Sequence, residues 1–398
     1  MIFRARAIVI GLTLMVFGLM GWRIYIYFGD KRQPNIVVTG LIDNGSYSGD
    51  ITCGVRSDKR GEIAVWLDGQ PLVDKFMVRA NGSEHPFTIP TKTITNGTHT
   101  LKIAIQDSTY HKNKSTQERV FNVDNVPLQA TFVKTDGDLR VLQGRTLHIQ
   151  FQANKQIKEA QVDILSRNYT CVPESKNSLV YECFVPIECE ETPSEHMVTV
   201  DVTDRVGNSV RLENKFQVVH FPFKKEALTV SAEKVKLEQE LGSRMAEFEQ
   251  KIAEISQTSA QEKLWRGSFC TPIDCQKITC DFGTIRTTQH KGRYAHKALD
   301  LINLPRSVVW APQDGIVVMK DRFDASGNTV VIDHGCGVLT LLFHLEEFAK
   351  ISVGDKIAKG NPVGTLGKTG YATGYHLHWE HRVNNIPVDP MQWTKETF

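Results

Sequence analysis

Two segments of alternating apolar and polar residues, His99–Asp107 and His196–Asp204, stand 97 positions apart, and each runs on to a Phe-x-Val, Phe121-Asn122-Val123 and Phe216-Gln217-Val218. Alternation with period two gives a strand one apolar face, and a repeat of about 100 residues is the size of an immunoglobulin-like sandwich. Asp68-Gly69, Asn81-Gly82, Asn96-Gly97 and Asp136-Gly137 supply turns at the spacing that short antiparallel strands need. Residues 34–125 and 126–222 are therefore expected to form two tandem immunoglobulin-like β-sandwiches. No metal-ligating or catalytic cluster occurs in either segment, so the expected role is that of a spacer.

Ala7 to Trp22 carries no charge and is rich in Ile, Leu, Val, Met and Phe, and the apolar character continues past Arg23 to Phe28. A helix over Ala7–Phe28 reaches the roughly 20 residues that a bilayer requires, with Arg23 able to extend its guanidinium outward. No small-x-small cleavage site follows, so residues 1–33 are expected to stay as a membrane anchor. Basic residues flank both sides (Arg4 and Arg6 before, Arg23, Lys31 and Arg32 after), and the charge rule does not orient the segment. The 47 Lys and Arg against 45 Asp and Glu, spread along 398 residues, leave no basic patch for a nucleic acid.

From Lys224 to Leu264 the apolar period becomes helical. Leu237, Leu241, Met245, Phe248, Ile252 and Ile255 lie three or four residues apart among Glu, Lys, Gln and Arg, which predicts one apolar stripe on a helix within residues 223–263. Ser231 is a suitable N-cap. The stripe is short for a coiled coil and contains Gly242, so it is expected to pack on the chain's own domains or on a second chain.

The residues that carry chemistry fall in 264–398. His296-Lys-Ala-Leu-Asp300 brings an imidazole and a carboxylate, and His376-Leu-His378 brings two imidazoles to one face of a presumed strand. Nitrogen and oxygen donors in this number suit zinc, which in catalytic sites takes three protein ligands and leaves the fourth position to water. Around them stand Phe282-Gly283-x-x-Arg286, Ala311-Pro-x-x-Gly315, Gly327-Asn328, Ile332-Asp-His334-Gly335, Phe343-His344-Leu345, Gly354 to Gly360, Gly364-Thr-Leu-Gly367-Lys-Thr-Gly370 and Thr373-Gly374-Tyr-His376-Leu-His378-Trp-Glu380. With Trp265-x-Gly-x-Phe269-x-x-Pro272 before and Val388-Asp-Pro390 after, this series closely resembles the lysostaphin and LytM type of zinc metalloendopeptidase, the peptidoglycan hydrolases, over about a third of the chain.

That resemblance implies an antiparallel β domain whose groove holds one Zn²⁺, with His296, Asp300 and His378 as ligands and His344 and His376 as metal-free catalytic histidines. It also implies peptidoglycan peptides as substrate, and together with the apolar Ala7–Phe28 segment a bacterial cell membrane location is expected, single-pass, with the bulk of the chain extracytoplasmic, in the periplasm or cell-wall zone. A silent wall-binding relative that activates another hydrolase, or an adhesion protein, fits less well because all five positions are filled. Three positions depart from the family pattern: Leu342 where Tyr is common, Tyr375 where Pro is usual and Trp379 in place of Phe. These are expected to line or support the groove. The glycines of 364–374 are expected to form tight turns that bring backbone close to an extended peptide. His334 is expected to be structural, and His290 and His381 to lie at the surface.

Outside the cytoplasm, Cys171 with Cys183 can close a hairpin, and two of Cys270, Cys275 and Cys280 can pair. The four-residue gaps in that last trio are unlike the short spacings of zinc ribbons, which disfavours a second metal site there. Cys336 is expected to be a free, partly buried thiol. The whole chain thus reads as mainly β: a transmembrane helix, two sandwiches, a linker helix and a C-terminal metallopeptidase domain.

Overall fold

The computed structural model describes residues 2–134, 139–230 and 232–398. The Asp136-Gly137 turn and the Ser231 cap lie outside them. The chain divides into two compact units, residues 1–127 with 205–208, and residues 128–204 with 209–398.

In the first unit, helix α1 (Ile2–Gly29) comes first. Its Ile10–Gly29 portion is the one helix among the described residues long and apolar enough to cross a membrane, properties that a signal sequence shares. A β-sandwich follows. A three-stranded sheet (Ile36–Thr39, Ile51–Ser57, His85–Ile89) faces a five-stranded one, ordered Gly45–Tyr47, Lys114–Val123, Gly97–Asp107, Gly61–Leu67 and Gln70–Val78. Val55, Ile63, Ile89, Leu101, Ile105 and Phe121 fill the space between them.

The second unit begins with a sandwich of matching topology. Its five-stranded sheet runs Arg140–Leu142, Ser209–Val219, Glu195–Asp204, Ile157–Ile164 and Arg167–Thr170, opposite a four-stranded sheet. The sequence repeat is reproduced in register. His99 pairs across strands with Phe121, and His196 with Phe216, with ring centroids 5.8 and 5.3 Å apart. Each alternating strand ends on a buried aspartate held by a lysine, Asp107 by Lys59 at 3.2 Å and Asp204 by Lys155 at 2.6 Å. A buried carboxylate needs such a partner, because an isolated charge is strongly disfavoured away from water.

The remainder of this unit is built on one antiparallel sheet. We label its strands β1 (Lys277–Cys280), β2 (Leu299–Ile302), β3 (Gly315–Phe323), β4 (Gly327–Asp333), β5 (Val338–Leu345), β6 (Lys356–Ile357) and β7 (Leu377–Val383). Their order is β1-β2-β7-β5-β4-β3-β6. One face packs Leu299, Leu301, Val330, Ile332, Leu342, Leu377 and Trp379 into a core. At one end of the domain the sandwich and the sheet share a second core, in which Val172 and Phe184 meet Trp265, Phe269, Trp393 and Phe398. Thr146 is tied there as well, its N–H and C=O to the Gln392 amide at 2.7 and 3.0 Å and its Oγ1 to the Trp393 indole at 3.1 Å.

Helix α2 (Ala232–Gln257) lies on the sheet's opposite face. Phe248 and Ile252 are buried against Met319, Val331, Leu339, Leu341 and Phe343. The fully buried Ile252 and the pairing of Arg382 with Glu249, at 2.7 and 2.9 Å, anchor the helix. The expected stripe is corrected in one respect: Met245 is exposed, while Leu241, Phe248 and Ile252 are buried. The helix thus packs on its own domain. Replacing Ile252 by Ala should cost about 2–5 kcal/mol, read as a fall in the midpoint of denaturant unfolding. Met245→Ala should leave that midpoint unchanged.

All eight cysteines are free thiols, so the disulfides considered from spacing are not formed. Cys183 is hydrogen-bonded to Cys171. Cys270 faces the Pro312 carbonyl at 3.4 Å and Cys280 faces Arg286, and no two of the 270–280 trio are bonded. Cys336 is free and buried, as expected.

Candidate metal centre and active site

A row of side chains crosses four strands on the sheet face that carries α2. Register places Cys280 of β1 opposite Asp300 of β2, Asp300 opposite His378 of β7, and His378 opposite Phe343 of β5. Directly paired residues project to the same side, so the four side chains stand abreast. His378 Nδ1 lies 2.9 Å and His296 Nε2 lies 3.4 Å from the same oxygen, Asp300 Oδ1. The Phe343 and His378 rings stack at 5.1 Å with 7° between planes. Phe248 of α2 packs edge-on against Phe343, so the helix abuts one wall of the site.

His296 comes from the connection into β2, and the Phe282-Gly283 motif holds its backbone. The Gly283 N–H donates to the His296 carbonyl at 2.7 Å and the His296 N–H to the Thr284 carbonyl at 2.9 Å. Gly283 has φ +76, and Phe223 occupies the space that a β-carbon would need. Burial works against a charged imidazole at His296, yet its bond to Asp300, assisted by Cys280, raises its pKa to about 9. Burial likewise disfavours an ionised Asp300, but the hydrogen bonds from His296 and His378 hold this carboxyl far below the usual range. Donors that stabilise one another only through a shared charge are what a cation would replace, and the set fits zinc.

His344 and His376 form the next layer, with ring centroids 4.7 Å apart. His376 precedes β7, and its Nε2 lies 3.8 Å from Asp300 Oδ1, farther than His378. Only His378 belongs to the strand and His376 stands just before it, yet both point toward Asp300, the common side expected from their spacing. His344 sits where the pairing of β4 with β5 slips by one residue, and it adopts φ +61. A bulge residue of this kind re-aims a side chain at a site. Its Nδ1 is 2.8 Å from the Thr369 carbonyl. A carbonyl only accepts, so Nδ1 carries the proton and Nε2 presents a lone pair. Burial, then the neighbouring His376 and His378, push the His344 pKa down to about 3, which keeps the ring neutral.

The glycine-rich segment supports that arrangement. Gly327 has φ +66, and a β-carbon on it would lie 2.4 Å from the Thr369 backbone. Gly370, with φ +74, is similarly close to Gly327. The turns bring backbone to backbone, and their product is the position of Thr369.

Other sequence expectations fall into place around the site. His334 is fully buried, bonded to the Asp314 carbonyl and Thr340 Oγ1 at 2.7 and 2.9 Å, and burial pushes its pKa to about 4. His290 is exposed. His381, expected at the surface, is fully buried among Phe269, Trp393 and Thr340 because β7 is covered on both faces at that end. Leu342 and Trp379 do not line the groove. They are cross-strand partners on the core face, a smaller residue opposite a larger one. Tyr375 packs against that core and lies under Lys368 at 5.2 Å.

One residue was not singled out for this site by its sequence context. The ligand atoms of Cys280, His296 and Asp300 lie within 4.8 Å of one another. A slip between Ile278 and Cys280 makes Cys280, and not Thr279, the partner of Asp300. Period-two alternation gives no warning of such a bulge.

The row of donors lies on an antiparallel sheet, and residues 294–390 match Peptidase family M23. The C-terminal part of this chain is a peptidase family M23 domain. Over 121 residues the chain is 32% identical to peptidoglycan DD-endopeptidase ShyC of Vibrio cholerae, an overlap that covers 30% of this chain and 28% of that protein. Over 128 residues it is 35% identical to DD-carboxypeptidase/endopeptidase Mpg of Neisseria meningitidis, covering 32% and 29%. The chain spans under a third of the length of the curated relatives it matches. Among solved structures, the catalytic domain of lysostaphin from Staphylococcus simulans superposes with a TM-score of 0.27 at 25% identity, over 30% of this chain and 92% of that one.

Gly327→Ala should displace Thr369 and with it the acceptor that fixes the His344 ring, lowering turnover by on the order of tenfold or more. Gly360, whose φ is +83 but which has open space around it, provides the control. Gly360→Ala should cost about 1 kcal/mol of stability and leave turnover intact. Steady-state kinetics beside thermal melts separates the two effects.

Proposed function

We propose that this protein is a membrane-anchored, extracytoplasmic zinc metalloendopeptidase that hydrolyses D,D peptide cross-links of peptidoglycan. The observation that carries the reading is the convergence of His296 and His378 on one oxygen of the largely buried Asp300, with His344 and His376 beside them. Membership of the C-terminal domain in family M23 and the names of its relatives support the substrate class. His296, Asp300 and His378 would hold a zinc ion, which when bound would lower the pKa of water to about 7 and polarise a carbonyl.

The chain's own groups do the rest. His344, neutral and with Nε2 unprotonated, takes the proton of the attacking water and returns it to the leaving amine. His376, with Nδ1 donating to the Gly374 carbonyl at 2.9 Å, directs Nε2 into the site, and in its doubly protonated form donates from that nitrogen to the developing oxyanion. Phe343 and α2 exclude solvent on one side of His378. The two sandwiches are read as immunoglobulin-like spacers.

Replacement of His296, Asp300 or His378 by Ala should remove bound zinc and activity together. His344→Ala and His376→Ala should keep about one zinc per chain and lose on the order of a hundredfold or more in turnover. Atomic absorption on each purified variant decides between the two classes. A metal-free His376→Ala beside a metal-replete His378→Ala would exchange their roles.

Digestion of purified peptidoglycan with the intact protein tests the activity. Mass spectrometry should show cross-linked dimers converted to monomers by cleavage of a D-amino acid to D-amino acid bond, and a chelator should abolish the conversion. Tight wall binding without any release would support a regulator in place of a hydrolase.

A further inference from the structure

We propose that Cys280 is a fourth protein ligand of the metal centre, so that the resting site is closed by a thiolate. This rests on the reading of His296, Asp300 and His378 as the zinc shell. Zinc bound to nitrogen and oxygen at about 2.0–2.2 Å and to sulfur at about 2.3 Å keeps its donors roughly 3–4 Å from one another. Cys280 Sγ comes near that range on one side of the site: it lies within 4.8 Å of the donor atoms of both His296 and Asp300, while His378, on the other side of Asp300, stands outside that group.

Three further observations point the same way. The bulge in β1 pairs Cys280 with Asp300 and buries it, while Thr279 beside it is exposed. The Arg286 guanidinium donates to Cys280 Sγ at 3.0 Å, which fixes the place of the sulfur. His296 is only 9% exposed, and its donor nitrogen shares this enclosed place with Cys280 and Asp300. Cys270 and Cys275, which the spacing groups with Cys280, do not belong to the cluster.

Coordination forms a metal–sulfur bond as the Sγ–H proton passes to solvent, with no change of oxidation state. Four protein ligands leave no position for water, the arrangement of a structural zinc site. Hydrolysis then requires the sulfur to leave the metal, and Arg286 is placed to receive it. Cys280 is in this sense a built-in competitor of the attacking water.

The test is cobalt(II) substitution of the full chain in detergent, which reports ligand identity without any turnover. A thiolate ligand produces an intense near-ultraviolet charge-transfer absorption that histidine and carboxylate ligands do not. The cobalt protein should show this band. Cys280→Ala should lose it while still taking up about one cobalt per chain, and Cys280→Ser, closer in shape, should behave alike. A cobalt-replete wild type without the band, or a Cys280→Ala protein that keeps it, overturns the proposal and leaves the three-ligand reading standing. Failure of the wild type to bind cobalt at all overturns the zinc reading and this proposal together.

Discussion

The Asp300 carboxylate is the element on which the rest of the site depends. It is largely enclosed, and burial alone would drive it to the neutral form. Its ionisation is sustained by imidazoles that approach the same oxygen from different elements, His296 from a connecting segment and His378 from the adjacent strand. Each group is costly without the others. That mutual dependence makes the cluster a poor structural device and a suitable cradle for a cation, since replacement by apolar side chains of similar size would stabilise a fold that had no use for the charge.

Positioning is done by the sheet. Strand pairing aligns Cys280, Asp300, His378 and Phe343 in one row, and two irregularities then adjust it: the bulge before Cys280 and the left-handed backbone at His344. Both are local departures from ideal pairing, and both turn a side chain toward the same place. Such strain is retained where surrounding structure over-determines it. Here the close approach of Gly327 and Gly370 to the Thr369 segment supplies that support.

The shared core between the second sandwich and the sheet has a mechanical consequence. Phe184, Trp265, Phe269, Trp393 and Phe398 pack together, Glu182 is held by His148 and Lys263 at 2.9 and 3.1 Å, and α2 is tied to β7 through Arg382. Burial disfavours a charged Arg382, but Glu380 and Glu249 raise its pKa and keep it ionised. Residues 128–204 and 209–398 therefore form one compact unit. The strand that presents His378 is braced at its far end by the same arginine.

Much of this was legible in the sequence, and for reasons that can be named. The His99–Asp107 and His196–Asp204 strands were readable because period-two alternation is local, and α2 because its stripe is. His296, Asp300, His344, His376 and His378 were picked out as a set by the resemblance of their surrounding motifs to the lysostaphin and LytM type, and the fold brings them together. Tertiary structure alone decided the rest. Which face α2 covers, that His381 is buried, that Leu342 and Trp379 oppose each other in the core, and that Cys280 stands opposite Asp300 all depend on strand order and register between segments distant along the chain. A one-residue slip in pairing changes which side chain faces the site, and the sequence carries no local periodicity that records it.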